Sequence, residues 1–469
     1  MSVLPPRGRL VVTPIAILSA AIILGTAVPS RAVPVFSRKY QTSCQTCHTA
    51  FPKLNPFGEA FRLNGYRMPK ETEDQIKQTP VSLGSEAYKK MWPEAVFPND
   101  LPGGAPFALN VKLADVYASS HDATGTQKIK NDFQFPQEAN LFAAGTLGKT
   151  FGFFGELTFE DKPDGSAELG IEHARLDVDS PFGPENLVHF RVGKFAPNLY
   201  DGFQEMWIMT DNAIDAVFIY NPIGLNGGTG LADEGGGIGL PDRVRGIEMY
   251  GVAKHRLFYT VGVDQTIGAG GPNDMFASNS HKDVYGRVDW KFGGMGLDGD
   301  TGGKALPAEN WREKSVRVGV FGFTGNGSEV LFDVTDDAGT AFKMQDVRYG
   351  RVGGYASLYY GDLNLFGVVV HGNDKLQLLN PDDLSLVSET SHGYDAWFVE
   401  GDYVIRPPFQ VALRYEHLSP GDTSVPSLKF LNANFTFLIR ANIKAMLEYR
   451  RDLRDSQNYA LNTIVRFAF

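Results

Sequence analysis

Val284-Tyr285-Gly286-Arg287-Val288-Asp289-Trp290-Lys291-Phe292 changes character at every second residue. One face holds Val284, Val288, Trp290 and Phe292, and the other holds Tyr285, Arg287, Asp289 and Lys291. A repeat of two marks a β-strand that is apolar on one side only. The pattern recurs elsewhere. Phe409, Val411, Leu413 and Tyr415 alternate with Gln410, Arg414 and Glu416. Ile443, Ala445, Leu447 and Tyr449 alternate with Lys444 and Glu448, and Val188, Phe190 and Val192 with His189, Arg191 and Gly193.

Outward from this stretch, roughly 16 or 17 such segments are predicted, and membrane barrels favour an even number. They fall near 107–119, 133–146, 150–160, 167–178, 186–196, 214–221, 243–253, 256–266, 282–293, 314–324, 346–361, 363–372, 395–406, 409–418, 426–440, 442–452 and 458–469. Each is about the 9–11 residues or more that a tilted membrane strand needs. Tight turns such as Pro407-Pro408 contrast with Gly/Asp/Asn-rich insertions near 197–242, 294–313, 325–345 and 373–394. Short turns at one end and long loops at the other are the habit of outer-membrane barrels. Tyr459, Leu461, Thr463, Val465, Phe467 and Phe469 form a last alternating row that ends on an aromatic residue. A propeller is disfavoured because no blade-length repeat appears. Charged residues along one strand face suit a wet lumen better than the dry interior of a sandwich. The expected fold is mainly β: a transmembrane antiparallel barrel of about 16 strands over 107–469, behind a small N-terminal helical domain.

Composition narrows the function. Hydrophobic residues make up 43% of the 469, so the chain is not a disordered one. The net charge is −10 and no basic cluster occurs, which argues against nucleic acid as a partner. Beyond Val33 no run of about 18 apolar residues exists, which excludes a helical membrane protein. The first 32 residues read as a cleaved export signal: Arg7 and Arg9, an apolar run from Leu10 to Leu24, then Ser30-Arg31-Ala32. The run is short for a membrane anchor and contains Pro14.

Both cysteines of the chain lie in Cys44-Gln45-Thr46-Cys47-His48. Two residues between cysteines, with a histidine directly after, is the attachment spacing for c-type haem. The two sulfurs reach the two vinyl groups on one porphyrin edge, and the histidine comes under the iron. A Cys44–Cys47 disulfide would close too small a loop to stabilise a large fold. A thioredoxin-type pair wants a βαβ setting, and structural zinc wants four ligands. Neither is visible around this motif.

The following stretch is built to shield a porphyrin. Asn55 suits a helix N-cap, Pro56 the first helical position, and Gly65 a stop. The helix between them places Phe57, Ala60 and Phe61 on one face. Met68 is the candidate sixth iron ligand; Met91, a distant histidine, or water in an open site are the alternatives. Residues 33–70 thus form the expected haem domain. Residues 71–106, with Pro93, Pro98, Pro102 and Pro106, form a connector.

An export signal, the Cys44–His48 motif, then Phe51-Pro-Lys-Leu-Asn-Pro-Phe-Gly-Glu-Ala-Phe-Arg-Leu-Asn-Gly-Tyr66 and a large barrel together resemble the fused monohaem cytochrome–porins of bacterial outer membranes. Some members of that family oxidise ferrous iron outside the cell. The resemblance is most specific over residues 36–70 and covers the barrel only as architecture. It implies one covalent haem c, held by Cys44, Cys47 and His48, set in or against the barrel lumen. Implied partners are outer-membrane lipid, a periplasmic electron carrier such as a soluble cytochrome, and an extracellular donor or acceptor such as iron. A haem peroxidase, and a solute porin with a haem plug or sensor, are the competing readings. Luminal Arg191, Arg287, Arg414 and Arg450 are candidates to meet haem propionates or luminal carboxylates, although for any single one the role of a solvated pore residue is the stronger expectation. Loop residues Asp333, Asp336 and Asp337 are candidates for attracting cations such as ferrous iron. Gly227 to Gly239 lacks the strand, helix and lysine of a phosphate loop.

Overall fold

A computed structural model describes residues 35–40, 42–69, 81–82, 100–101, 106–121, 125–161, 167–183, 185–200, 207–219, 240–241, 243–265, 282–304, 309, 311–326, 332–335, 341–421 and 426–468. The expected export signal and most of the expected connector lie outside them.

The barrel strands are β1 (Phe107–His121), β2 (Gln127–Leu147), β3 (Phe151–Asp161), β4 (Ala167–Asp179), β5 (His189–Phe195), β6 (Val244–Ala253), β7 (Leu257–Gln265) and β8 (Asp283–Gly293). They continue as β9 (Glu313–Gly325), β10 (Ala341–Gly361), β11 (Leu363–Leu379), β12 (Leu386–Arg406), β13 (Phe409–Pro420), β14 (Leu428–Arg440), β15 (Ile443–Asp452) and β16 (Tyr459–Ala468). Each pairs antiparallel with the next, and β16 pairs with β1 to close the ring. Closure leaves no strand edge with unpaired backbone groups. A short ribbon, Phe332–Thr335, pairs with the start of β10, while β9 and β10 pair directly.

The stretch quoted first faces the way its alternation requires. Val284, Val288, Trp290 and Phe292 are 44%, 51%, 36% and 57% exposed on the outer wall. Tyr285, Arg287, Asp289 and Lys291 point inward at 2%, 3%, 2% and 6%. An apolar outer wall with polar groups inside is what lipid demands of a barrel.

Four expectations need correction. The strand expected at 214–221 is not formed over its described residues, 214–219; Asp215–Ile219 forms one wide helical turn inside the lumen. Its apolar residues, Ala216, Val217 and Phe218, are buried there, which mimics a strand in sequence. The insertion 373–394 is mostly strand, because β11 and β12 run past the apolar belt. There both faces meet water, as at Leu386, Val387 and Glu389, so the alternation that marks a strand fades. The insertion 294–313 joins β8 to β9 at the same end as the tight turns, so the long connections are not confined to one end. Finally, the lumen is not simply wet. Residues 196–200 and 207–219 fold inward, and Leu199, Tyr200, Trp207, Ile214 and Phe218 pack against inward Phe321, Phe366, Val368 and Phe398.

Many of the described luminal charges are paired. Arg191 meets Asp177 at 2.8 Å, Arg287 meets Asp289 at 2.8 Å, and Arg351 meets Asp374 at 2.6 Å. Arg414 bridges Glu416 at 2.8 Å and Glu400 at 3.2 Å. Arg450 pairs with Asp215. All four arginines singled out in the sequence thus meet carboxylates. Buried charge is tolerable only with such partners.

Candidate functional site

The segment from residue 35 to 69 shares one compact unit with the barrel. It opens with helix α1 (Val35–Tyr40). Ser43 then caps a single turn, Cys44–Thr46, by accepting from the Gln45 amide. His48–Ala50 and Lys53–Leu54 form a two-stranded ribbon, followed by helix α2 (Pro56–Leu63). Asn55 caps α2 as its sequence suggests, accepting from the Gly58 amide at 2.8 Å. The same side chain donates back to the carbonyls of Gln45 and Thr46 at 3.1 and 3.2 Å. One residue therefore joins the start of the helix to the cysteine turn. Gly65 follows with φ 64°, a left-handed helix end that favours glycine.

Cys44 and Cys47 are free thiols, not a disulfide. Burial raises the pKa of both, that of Cys47 to about 12. His48 Nδ1 lies 2.9 Å from the Pro52 carbonyl. A carbonyl can only accept, so the proton sits on Nδ1 and the lone pair on Nε2, the tautomer a metal would need. Burial pushes the imidazole pKa down to about 4, and nearby Lys444 adds to the effect. The ring is therefore neutral, as an iron ligand must be. This donor set fits c-type haem: two thiols for thioether bonds and one oriented neutral imidazole.

Phe61 belongs to an apolar cluster with Tyr40, Tyr66, Ala144 and Phe154, against which Phe36, Cys47 and Met68 pack. Phe36 meets Phe61 edge-on at 5.3 Å and stacks on Tyr66 at 5.0 Å. Phe57 is buried on the same helix. Phe57 and Met68 also line a cavity of about 350 Å³ with Pro69, Asn186, His255 and Asp298. Cys44, Cys47 and His48 do not line that cavity. The structure thus brings Cys47, Phe61 and Met68 into one cluster and places Phe57 and Met68 on one cavity. Met91, Asp336 and Asp337 lie outside the described residues, and Asp333 falls in the ribbon Phe332–Thr335.

Sequence reasoning missed the fastenings. Lys53 pairs with Asp402 of β12 and donates to the Trp207 carbonyl at 2.7 Å and to Asn364 at 3.0 Å. Arg62 donates to Asn198 at 2.8 Å, and Arg67 pairs with Asp179 at the end of β4. Gln410 donates to the Thr49 carbonyl at 2.8 Å. Barrel wall, inward loop and N-terminal segment are thereby bonded together inside the lumen, on the side of the tight turns. Only the basic residues themselves hinted at this, and nothing in their spacing shows what they reach.

No protein-family model and no curated protein matches this sequence. Solved structures do. OmpF of Salmonella typhi, in complex with daunomycin, is similar over 77% of this chain and 97% of its own, at 11% identity and TM-score 0.51. OmpT of Vibrio cholerae gives 12% identity, 77% and 96% coverage, and TM-score 0.46. The channel DcaP of Acinetobacter baumannii gives 13%, 77% and 96%, and TM-score 0.44. The OmpF likeness concerns the fold alone: the chain is a closed sixteen-stranded antiparallel β-barrel of the outer-membrane porin type.

Proposed function

We propose that this protein sits in a bacterial outer membrane, binds one covalent haem c, and carries electrons through the barrel. Cys44 and Cys47 would hold the porphyrin, and His48 Nε2 would bind the iron. Phe57 and Phe61 would exclude water, with Met68 the candidate for a second side-chain ligand to the iron. When bound, haem supplies one-electron chemistry that no side chain here offers. The residues of the chain set position, charge and dryness.

The carrying observation is His48 itself. Its Nδ1–H is committed to the Pro52 carbonyl directly beside two free thiols, in a segment fastened within the lumen. The apolar band of an outer membrane is about 25 Å tall and insulates. A redox centre set inside that band gives electrons a stepping point between a soluble periplasmic carrier and an extracellular partner. Ferrous iron is the donor we favour, by resemblance. The packed lumen supports a conduit over an open solute porin, because two segments occupy the route a solute would take. A peroxidase would need an open distal position with an acid–base residue beside it.

Reconstitution decides the matter. Liposomes carrying the purified protein, with ferrous iron on one side and a soluble electron acceptor on the other, should reduce the acceptor. Protein-free liposomes should not. Absence of a covalently bound haem mass in the purified protein ends this reading. Rapid reaction with peroxide would move it to the peroxidase.

A further inference from the structure

Asp264 and Asp283 are direct cross-strand neighbours where β7 ends and β8 begins, on the side of the barrel away from the tight turns. Both are inward-facing, at 1% and 3% exposure. Among the described luminal carboxylates, Asp177, Asp289, Asp374, Asp402, Glu400 and Glu416 each meet an arginine or lysine. Among the described residues Asp264 has no such partner, and neither of its carboxylate oxygens accepts a hydrogen bond. Asp283 accepts from the Asn326 amide at 3.2 Å. On the other flank Asp264 faces Gly246, which brings no side chain. Gly325 leaves space for the Asp283 carboxylate, since a Cβ there would lie 1.7 Å from Oδ1.

Two like charges directly opposite on paired strands repel. Burying a carboxylate without a partner costs more still. Directly opposed residues have Cβ atoms roughly 4.5–5.5 Å apart, within reach of a single ion. We propose that Asp264 and Asp283 bind a hard divalent cation of the Mg²⁺, Mn²⁺ or Fe²⁺ class, completed by water. Two carboxylates with several waters is the habit of small octahedral ions. Neither a soft-metal ligand nor a histidine is required. The site stands apart from the Cys44–His48 segment and does not depend on haem.

The test uses purified full-length protein in detergent, freed of lipopolysaccharide and stripped with chelator, and titrated with Mn²⁺. Free Mn²⁺ is read by electron paramagnetic resonance. The wild type should bind one Mn²⁺ saturably, and its unfolding temperature should rise with occupancy. Asp264→Asn and Asp283→Asn should each lose that binding. Metal-free Asp264→Asn should unfold at a higher temperature than metal-free wild type, because a buried repulsion is gone. Cys47→Ser should bind Mn²⁺ as the wild type does, which separates this site from the haem reading. Wild-type protein without saturable Mn²⁺ binding overturns the inference, whatever the variants do. So does undiminished binding in Asp264→Asn.

Discussion

Lys53 Nζ lies 2.5 Å from Asp402 Oδ2, and both side chains are almost fully buried. One comes from the N-terminal segment and the other from barrel strand β12, so this ion pair fastens the lumen's contents to its wall. Lys53 also sits 4.2 Å from the Phe366 ring centroid. Lys53→Ala strands Asp402 beside Glu400 with no cation of its own, a loss of about 3–5 kcal/mol. The expected result is an N-terminal segment cut by protease under conditions that spare the wild type, on a barrel that remains heat-modifiable. Planar-bilayer recordings should show conductance bursts in this variant and a quiet wild type. Equal protease resistance would show that the pair fastens nothing.

Gly58 tests the contact between helix α2 and the cysteine turn. In an ordinary helix Gly→Ala stabilises by about 1 kcal/mol. Here a Cβ would lie 2.0 Å from the Cys47 carbonyl oxygen. Gly58→Ala should therefore have the opposite sign and force the motif away from the helix. The expected outcome is a lower fraction of protein carrying covalent haem, measured by intact mass, at normal barrel yield. Full haem loading would mean the contact relaxes freely.

Arg414 tests the inward loop. It meets Glu416 and Glu400 and donates to the carbonyls of Asn212 and Ala213 at 2.6 and 2.8 Å. Glu448 grips the same loop, accepting from the Asp211 and Asn212 amides at 2.6 and 2.8 Å. Arg414→Ala leaves two buried carboxylates short of a cation, at a cost of about 3–5 kcal/mol. The transition to the unfolded gel form on heating should come at a clearly lower temperature. Glu416→Gln in the same background should recover part of the loss, because it removes one of the stranded charges.

The wall of this protein was legible because its constraint is local. Alternation at Val284–Phe292 separates lipid from lumen, and burial follows it residue by residue. Residues 214–221 misled because burial inside a lumen selects the same apolar residues as a strand. The ends of β2, β11 and β12 were missed because strands beyond the apolar belt need no alternation. The cysteine turn and α2 were legible for a similar reason: Asn55, Pro56 and Gly65 act within a few residues. Phe36, Tyr40 and Tyr66, which join Phe61 around Cys47, were not. Neither were the partners of Lys53, Arg62 and Arg67, because those bonds span more than 100 residues and exist only once the barrel has closed.

His48 and Cys47 separate the proposed redox role from the barrel. Removing the imidazole in His48→Ala takes away Nε2, the nitrogen proposed to bind iron, since Nδ1 is already bonded to the Pro52 carbonyl. Cys47→Ser removes one of the two sulfurs that would hold the porphyrin. Neither side chain belongs to a barrel strand, so closure by β16 and β1 should be untouched. Both variants should reach the outer membrane and remain heat-modifiable. Both should lose ferrous-iron-driven acceptor reduction in liposomes. His48→Ala should keep a covalent haem mass with an altered reduced-minus-oxidised spectrum, whereas Cys47→Ser should retain little or none. A variant pair that still passes electrons at the wild-type rate would place the redox centre elsewhere. Loss of the barrel itself would instead mean that this segment is needed for folding.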